Sequence, residues 1–125
     1  MKLIVVTQRV DLIPEKGEIR DSLDQKLFEF IYKAGYLPLG VPNFPILSED
    51  FSKYRQESLD RWLQKISPLG VVLSGGNNIG QFPSRDATEE KLLNYAFKKN
   101  IPLLGICRGM QMIAKYFGVS LKESK

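Results

Sequence analysis

The 125-residue sequence contains no histidine, a single tryptophan and a single cysteine, Cys107. One cysteine excludes a disulfide within the chain and fits a reducing compartment, so we expect a cytoplasmic protein. Without histidine, the usual proton shuttle and the commonest metal ligand are both missing. No apolar run approaches the ~18 residues that a membrane span needs, and residues 1–6 are too short for a signal peptide, so no membrane contact is expected.

Other signatures are missing as well. The sequence has neither the Gly-x-Gly-x-x-Gly nor the Gly-Lys-Ser/Thr pattern, which argues against dinucleotide and P-loop sites. The net charge is +4, but acidic and basic residues alternate without an arginine-rich run. We therefore predict no nucleic-acid partner, no cofactor and no metal site. The length predicts one domain over residues 1–125.

Four apolar runs indicate buried strands, at residues 3–6, 36–41, 70–73 and 103–106. Helical patterns follow each of them, and residues 11–20 read as a polar loop. Alternating strands and helices predict an α/β domain with a mainly parallel sheet and helices on both faces. Pro38 indicates that the second run is an edge strand or an irregular strand, whereas the run at 103–106 reads as a strand buried on both faces.

The helices are predicted from apolar spacing and capping residues. Ser22 is the expected N-cap of the first helix, whose core stripe would be Leu23, Leu27, Phe30, Ile31 and Ala34. In the second helix the inward residues would be Leu59, Trp62, Leu63 and Ile66. A capping box formed by Asp86 and Glu89 is expected to start the third, with Leu92, Leu93, Ala96 and Phe97 facing the core.

Cys107 lies between the last apolar run and the last helix, with Gly105 and Gly109 two residues away on either side. A sharp strand-to-helix turn strains the residue at its corner, and flanking glycines relieve the crowding. The helix would place Met110, Ile113, Ala114 and Phe117 on its apolar face and end at Gly118. Its N-terminus would favour a thiolate at Cys107 and any oxyanion formed there.

Two further segments should reach the same edge of the sheet, because the carboxyl ends of parallel strands lie together. Residues 74–80 form a glycine-rich turn in which Gly75 and Gly76 allow close approach of a ligand; a turn without function is the alternative. Gln8 and Arg9 follow the first strand and are candidate substrate contacts. The alternative for Arg9 is an ion pair with Asp11.

Three segments together carry a family resemblance: Gly-Ile-Cys-Arg-Gly-Met-Gln at 105–111, Leu-Ser-Gly-Gly at 73–76 and Arg-Asp-Ala-Thr-Glu at 85–89. In order and spacing they resemble class I glutamine amidotransferases, in the branch of γ-glutamyl-γ-aminobutyrate hydrolases and peptidase C26-like proteins. The resemblance runs from the N-terminus to about Gly118. It implies a flavodoxin-like α/β fold whose C-terminal part is missing from this sequence.

The resemblance also implies a cysteine amidase. Cys107 would attack the γ-carbonyl of a glutamine-like amide and form a glutamyl thioester, which water hydrolyses. Gly76 and Arg108 would supply the oxyanion-hole N–H groups. Gly75 and Gln111 would bind the glutamyl moiety, although Gln111 could instead be a polar residue on the outer side of its helix. The implied substrate is a γ-glutamyl amine or a γ-glutamyl phosphoramidate nucleotide.

The sequence departs from the family in one respect. The family's other two triad members, a histidine and an acid, come from a later segment, so we expect this chain alone to be inactive as an amidase. Two alternatives remain open: a non-catalytic binding or assembly module of the same fold, and another cysteine-elbow α/β hydrolase. A sheet left uncovered by missing strands would favour homo-oligomers.

Overall fold

The computed structural model of the chain describes residues 2–43 and 49–118, without the side chains of 49–57. Its strands are β1 (Lys2–Thr7), β2 (Arg9–Ile13), β3 (Glu18–Ser22), β4 (Tyr36–Val41), β5 (Gly70–Leu73) and β6 (Leu103–Gly105). Its α-helices are α1 (Gln25–Lys33), α2 (Glu49–Ile66), α3 (Pro83–Lys99) and α4 (Arg108–Tyr116). A single 3₁₀ turn, Pro14–Lys16, lies between β2 and β3.

Four strands form a parallel sheet in the order β4-β1-β5-β6. Strand β1 is therefore interior, and β4 lies at one edge with Pro38 opposite Ile4, as its proline predicts. Because all four strands run the same way, their carboxyl ends lie along one rim of the sheet. Cys107, the glycine-rich turn and Arg9 all follow strand ends on that rim.

Apolar side chains cover both faces of the sheet, because neighbouring residues of a strand point to opposite faces. On one face Val5, Val71 and Leu73 join Leu63 of α2 and Met112 of α4 in a buried cluster that also includes α3. On the other face, Val6 and Val72 pack with Ile31 of α1 in a smaller cluster. The predicted α/β architecture, a mainly parallel sheet with helices on both faces, is confirmed.

The prediction of a polar loop at residues 11–20 is wrong, because β2 and β3 form an antiparallel hairpin there. Val10 is buried, whereas Leu12 and Ile19 are opposite each other and exposed. Gly17 closes the turn with a left-handed backbone (φ 62°), which glycine adopts without strain. The hairpin carries many polar residues because most of it faces solvent, and this hid the strand pattern.

The first helix differs from its prediction at its start and along its apolar stripe. Asp24, not Ser22, caps α1, and its carboxylate accepts a hydrogen bond from the Lys26 N–H at 2.9 Å. Of the predicted stripe, only Ile31 is fully buried, while Phe30 is exposed. In the smaller cluster on this face of the sheet, α1 contributes the buried Ile31 and the partly buried Leu27, so the helix buries only a narrow strip.

Helix α3 begins three residues before the predicted capping box, with Pro83 as its first residue. Asp86 and Glu89 are therefore inside the helix, and the capping-box interpretation is wrong. Of the predicted inward residues, Leu92, Leu93 and Ala96 are buried, but Phe97 is exposed. The carboxylates of Asp86 and Glu89 instead pair with an arginine of another helix.

The last strand and helix also differ in burial from their predictions. Within the described sheet, β6 is an edge strand and the side chain of Leu104 is 52% exposed, so it is not buried on both faces. Helix α4 packs through Gly109 and Met112, not through Met110, which is exposed. The close approach of α4 to β5 at Gly109 sets which face turns inward. In the described part of the chain, no helix is long and apolar enough to cross a membrane.

Candidate active site

Cys107 occupies a sharp turn between β6 and α4. Its backbone has φ 52° and ψ −110°, a strained combination for a residue other than glycine. Such strain is typical of active sites, where the surrounding structure holds a residue in place. The Cys107 side chain is exposed, so the thiol is accessible at the rim of the sheet.

The two flanking glycines are required by crowding at this turn. A Cβ at Gly109 would lie 2.1 Å from the carbonyl oxygen of Leu73, and a Cβ at Gly105 would lie 2.7 Å from the Met110 nitrogen. Both distances are far below van der Waals contact. The structure therefore shows the physical reason for the predicted Gly-x-Cys-x-Gly elbow.

Helix α4 points its N-terminus at the elbow. The Gly109 N–H donates to the carbonyl oxygen of Ile106 at 2.9 Å, and the Met110 N–H donates to that of Cys107 at 3.0 Å. Arg108 is the first helical residue, a position whose N–H has no intrahelical acceptor. A free N–H directly after the cysteine can donate to an oxyanion on a ligand.

The glycine-rich turn after β5 lies against the elbow. A Cβ at Gly75 would be 3.5 Å from Cys107 Cβ and 4.0 Å from its Sγ. Gly76 has φ +85°, and a Cβ there would lie 3.2 Å from Arg9 Cβ. A side chain at Gly76 would therefore crowd Arg9, whereas a Cβ at Gly75 would make ordinary contact with Cys107.

A cavity of about 460 Å³ opens beside the thiol. Its lining includes five predicted site residues, Arg9, Gly76, Cys107, Arg108 and Gln111, together with Asn77, Asn78 and Gln81, which sequence reasoning missed. Asn77 and Asn78 belong to the glycine-rich turn at residues 74–80, so that turn was the sequence signal that could have identified them. A larger groove of about 680 Å³ between α2 and α3 contains none of the predicted site residues.

Gln8 and Arg9 differ in where their side chains go. The Gln8 amide donates to the carbonyl oxygen of Val41 at 2.9 Å and packs against Gly40, outside the cavity lining. Arg9 lines the cavity and also donates from Nε to Asp11 at 3.0 Å, with its side chain 51% exposed. Both interpretations of Arg9, cavity contact and ion pair, are thus compatible with its position.

Arg85 is fully buried beneath the glycine-rich turn. Its guanidinium donates to three successive carbonyl oxygens of that turn, those of Ser74 (2.8 Å), Gly75 (3.1 Å) and Gly76. It also donates to the Asn77 side-chain oxygen at 3.2 Å. That oxygen accepts from the Val10 N–H at 2.8 Å as well, so the turn is joined to the β2–β3 hairpin.

Glu89 links this arginine to the elbow. One carboxylate oxygen accepts from Thr7 Oγ1 at 2.6 Å and from Arg85 Nε at 3.4 Å, and the other accepts from Arg108. The Arg108 guanidinium also pairs with Asp86. Two arginines and two carboxylates therefore form a balanced buried network. Its sequence signals are the i, i+4 spacing of Arg85 and Glu89 and the family resemblance of residues 85–89, neither of which indicates the contact with Arg108.

Burial shifts the ionisation of both arginines. Desolvation, followed by the charge of Arg9, lowers the pKa of Arg85 to about 10. Desolvation, followed by the charge of Arg85, lowers the pKa of Arg108 to about 10. Both groups therefore still carry a charge at neutral pH.

The arrangement offers a nucleophile and hydrogen-bond donors. Among the side chains that the structure describes, those of residues 2–43 and 58–118, no three cysteine or acidic groups lie close enough together to hold a metal ion. The chain thus presents an exposed thiol, backbone N–H groups and a polar cavity on one rim of a parallel sheet.

A parallel α/β sheet with a cysteine elbow of this kind is the arrangement expected of a class I glutamine amidotransferase-like protein. The family model described as Peptidase C26 matches residues 3–124, and the chain belongs to that family.

Named relatives agree with this class. The γ-glutamyl-CDP-amidate hydrolase of Campylobacter jejuni is 45% identical over 124 residues, covering 91% of this chain and 54% of the relative. A component of the glutamine-hydrolysing GMP synthase of Pyrococcus furiosus is 41% identical over 58 residues, covering 45% of this chain and 28% of the relative. The chain thus spans about half the length of the Campylobacter protein.

Proposed function

We propose that this chain carries the nucleophile and oxyanion-binding half of a γ-glutamyl amide hydrolase. The observation that carries the proposal is the exposed Cys107 at a strained elbow, facing a double-glycine turn across a polar cavity. Family membership and the printed activities of the relatives support it.

In the proposed reaction, the Cys107 thiolate attacks the γ-carbonyl carbon. A carbon–sulfur bond forms, and the carbonyl oxygen becomes an oxyanion that accepts hydrogen bonds from the Gly76 and Arg108 N–H groups. The oxyanion collapses and expels the amine, which leaves with a proton. Water then hydrolyses the γ-glutamyl thioester, releasing glutamate and restoring the thiol.

The lining residues suggest how a substrate would lie. Gly75 and Gln111 would contact the glutamyl moiety, since the former lies beside Cys107 and the latter lines the cavity one turn into α4. Arg9 would face the leaving group from the opposite side of the glycine turn. A cation there suits a γ-glutamyl phosphoramidate nucleotide, the class named for the Campylobacter relative, and would also accept a γ-glutamyl amine.

Turnover needs a proton shuttle, and the sequence contains no histidine. We therefore propose that the general base lies outside these 125 residues and that the chain alone turns over little substrate. The missing histidine is also the one observation that favours a second function, a binding or assembly module that keeps the pocket without catalysis. The family match favours either function over a different cysteine-elbow hydrolase.

We also propose that copies of the chain associate through β6, which is an edge strand of the described sheet and exposes Leu104. The proposed partner at the cavity is a small-molecule γ-glutamyl compound. A cytoplasmic location and the lack of nucleic-acid and membrane partners stay predictions from composition.

The test compares the chain with a fusion in which the remaining part of the Campylobacter relative follows residue 118. Glutamate release is measured from γ-glutamyl-p-nitroanilide and γ-glutamyl-CDP-amidate, with Cys107→Ala in each protein as the matched control. We expect Cys107-dependent release by the fusion and about 10²-fold or more slower release by the chain alone. A folded fusion whose release does not depend on Cys107 contradicts the proposal.

A further inference from the structure

The buried Arg85 does not itself line the cavity, yet its guanidinium holds the turn that forms one wall of the cavity. We propose that Arg85 is a positioning residue for the oxyanion-binding turn, and that Glu89 couples this turn to the start of α4. The inference rests on the proposed function of the site and assigns a task to a network that the reaction itself does not use.

The first step of the argument concerns peptide geometry. In a planar trans peptide unit, the C=O of one residue and the N–H of the next point in opposite directions. Arg85 binds the Gly75 carbonyl oxygen at 3.1 Å, so the N–H of Gly76 points away from the guanidinium. With the Ser74 and Gly76 carbonyl oxygens bound as well, three consecutive peptide units are fixed in orientation.

The second step concerns the other proposed donor. Arg108 supplies the elbow N–H through its backbone, while its guanidinium binds the Glu89 carboxylate. Arg85 binds the other oxygen of the same carboxylate. One buried side chain therefore ties together the two segments that carry the Gly76 and Arg108 N–H groups, and the relative position of these donors depends on it.

The third step concerns stiffness. Gly75 and Gly76 lack side chains, so the turn has little packing of its own to hold it. An arginine fork with several donors suits this task, because its planar, charged geometry fixes acceptors in set directions. A lysine would keep the charge but could not reach three carbonyl oxygens from one rigid group. Loss of the guanidinium should thus loosen the turn while leaving the thiol exposed.

The test uses Arg85→Lys, with Arg61→Lys on the exposed face of α2 as the matched control. The first readout is a reversible adduct of Cys107 with 5-oxopentanoate, an aldehyde shaped like the glutamyl chain. The sulfur–carbon bond forms, the C=O double bond becomes single, and the thiol proton passes to that oxygen. Alkylation by iodoacetamide is the comparison, because it displaces iodide and develops no oxyanion.

We expect Arg85→Lys to weaken the aldehyde adduct by about tenfold or more, as loss of an oxyanion donor does, and to change the alkylation rate by less than about twofold. Arg61→Lys should change neither. Equal adduct affinity in the variant overturns the inference. A folded variant that loses both reactions in parallel overturns it too, because the role would then be general stability.

A second readout needs no adduct, and its first measurement needs no variant. We expect ¹⁵N order parameters of residues 74–77 in the unmodified chain to be near ~0.85, as in rigid backbone, and to fall below ~0.6 in Arg85→Lys. A turn that is already flexible in the unmodified chain overturns the inference, even if Arg85→Lys does not fold. A rigid turn in a chain that forms no aldehyde adduct would count against the proposed function instead.

Discussion

The guanidinium of Arg108 lies against the carboxylate of Glu89, and the two side chains are 3% and 0% exposed. This pair joins the first residue of the elbow helix to the middle of α3. The same carboxylate accepts from Arg85 and Thr7, so it also reaches the glycine turn and the end of β1. The elbow is thus held in place by buried ion pairs as well as by packing.

We expect Glu89→Gln to destabilise the fold strongly. The change leaves the Arg85 and Arg108 charges buried without their shared partner, and such losses typically cost about 3–5 kcal/mol. Glu90→Gln is the matched control, because Glu90 is the next residue and is exposed; it should cost less than about 0.5 kcal/mol. Urea unfolding of both variants measures the difference. Similar midpoints would show that the buried network contributes little.

Gly109→Ala should also be costly, because the added Cβ would collide with the backbone of β5, 2.1 Å from the Leu73 oxygen. Overpacking of this kind costs about 1–3 kcal/mol or more. Gly75→Ala is the control, since its Cβ would be at an ordinary 3.5 Å from the nearest atom. In thermal unfolding, Gly109→Ala should have a clearly lower melting temperature than Gly75→Ala. The opposite order would contradict the described contact of α4 with β5.

Asn77→Ala should release the β2–β3 hairpin from the glycine turn. The Asn77 amide accepts from the Val10 N–H at 2.8 Å and donates to the Val10 carbonyl oxygen at 3.1 Å. Amide exchange at Val10 should therefore become faster by about fivefold or more, as expected from a loss of about 1 kcal/mol per hydrogen bond. Asn78→Ala, with an exposed side chain, should leave the exchange at Val10 unchanged. Equal amide exchange rates at Val10 in both variants would contradict the role of Asn77 in holding the hairpin to the glycine turn.

The hairpin should also respond to acid through Asp11. A hydrogen bond from Ser22 and the charge of Arg9 lower the pKa of Asp11 below its ordinary 3.8. Stability from this shift is present above pH 3.8 and is lost as the pH falls through the lower folded value. Asp11→Asn should thus have a lower free energy of unfolding than the unmodified chain at pH 7, by less than about 1 kcal/mol for so exposed a pair. At pH 3 this difference should be smaller. A pH-independent difference would contradict this.

The strands of the main sheet could be predicted because each is a short apolar run, and the elbow because Gly105, Cys107 and Gly109 stand at fixed spacing. Both features depend on neighbours along the chain. The elbow glycines were read correctly for a reason that the structure shows directly, the collision of a Cβ at Gly109 with Leu73.

The buried network could not be predicted in this way. Glu89 meets Arg108 across 19 residues and Thr7 across 82, and these contacts exist only once α3 packs beneath the rim. From the sequence alone, Asp86 and Glu89 fit a capping box equally well. The hairpin was missed for a related reason: the backbone of Val10 is hydrogen-bonded to Asn77, which is distant in sequence.

The most direct test of the central claim is affinity labelling of Cys107, which requires no general base. The unmodified chain is treated with the chloromethyl ketone analogues of L-glutamine and of D-glutamine, and the modified residue is located by mass spectrometry. We predict that the L analogue labels Cys107 at least about tenfold faster than the D analogue, and that glutamate slows this reaction. Equal rates for the two enantiomers, unaffected by glutamate, would contradict a γ-glutamyl site at Cys107.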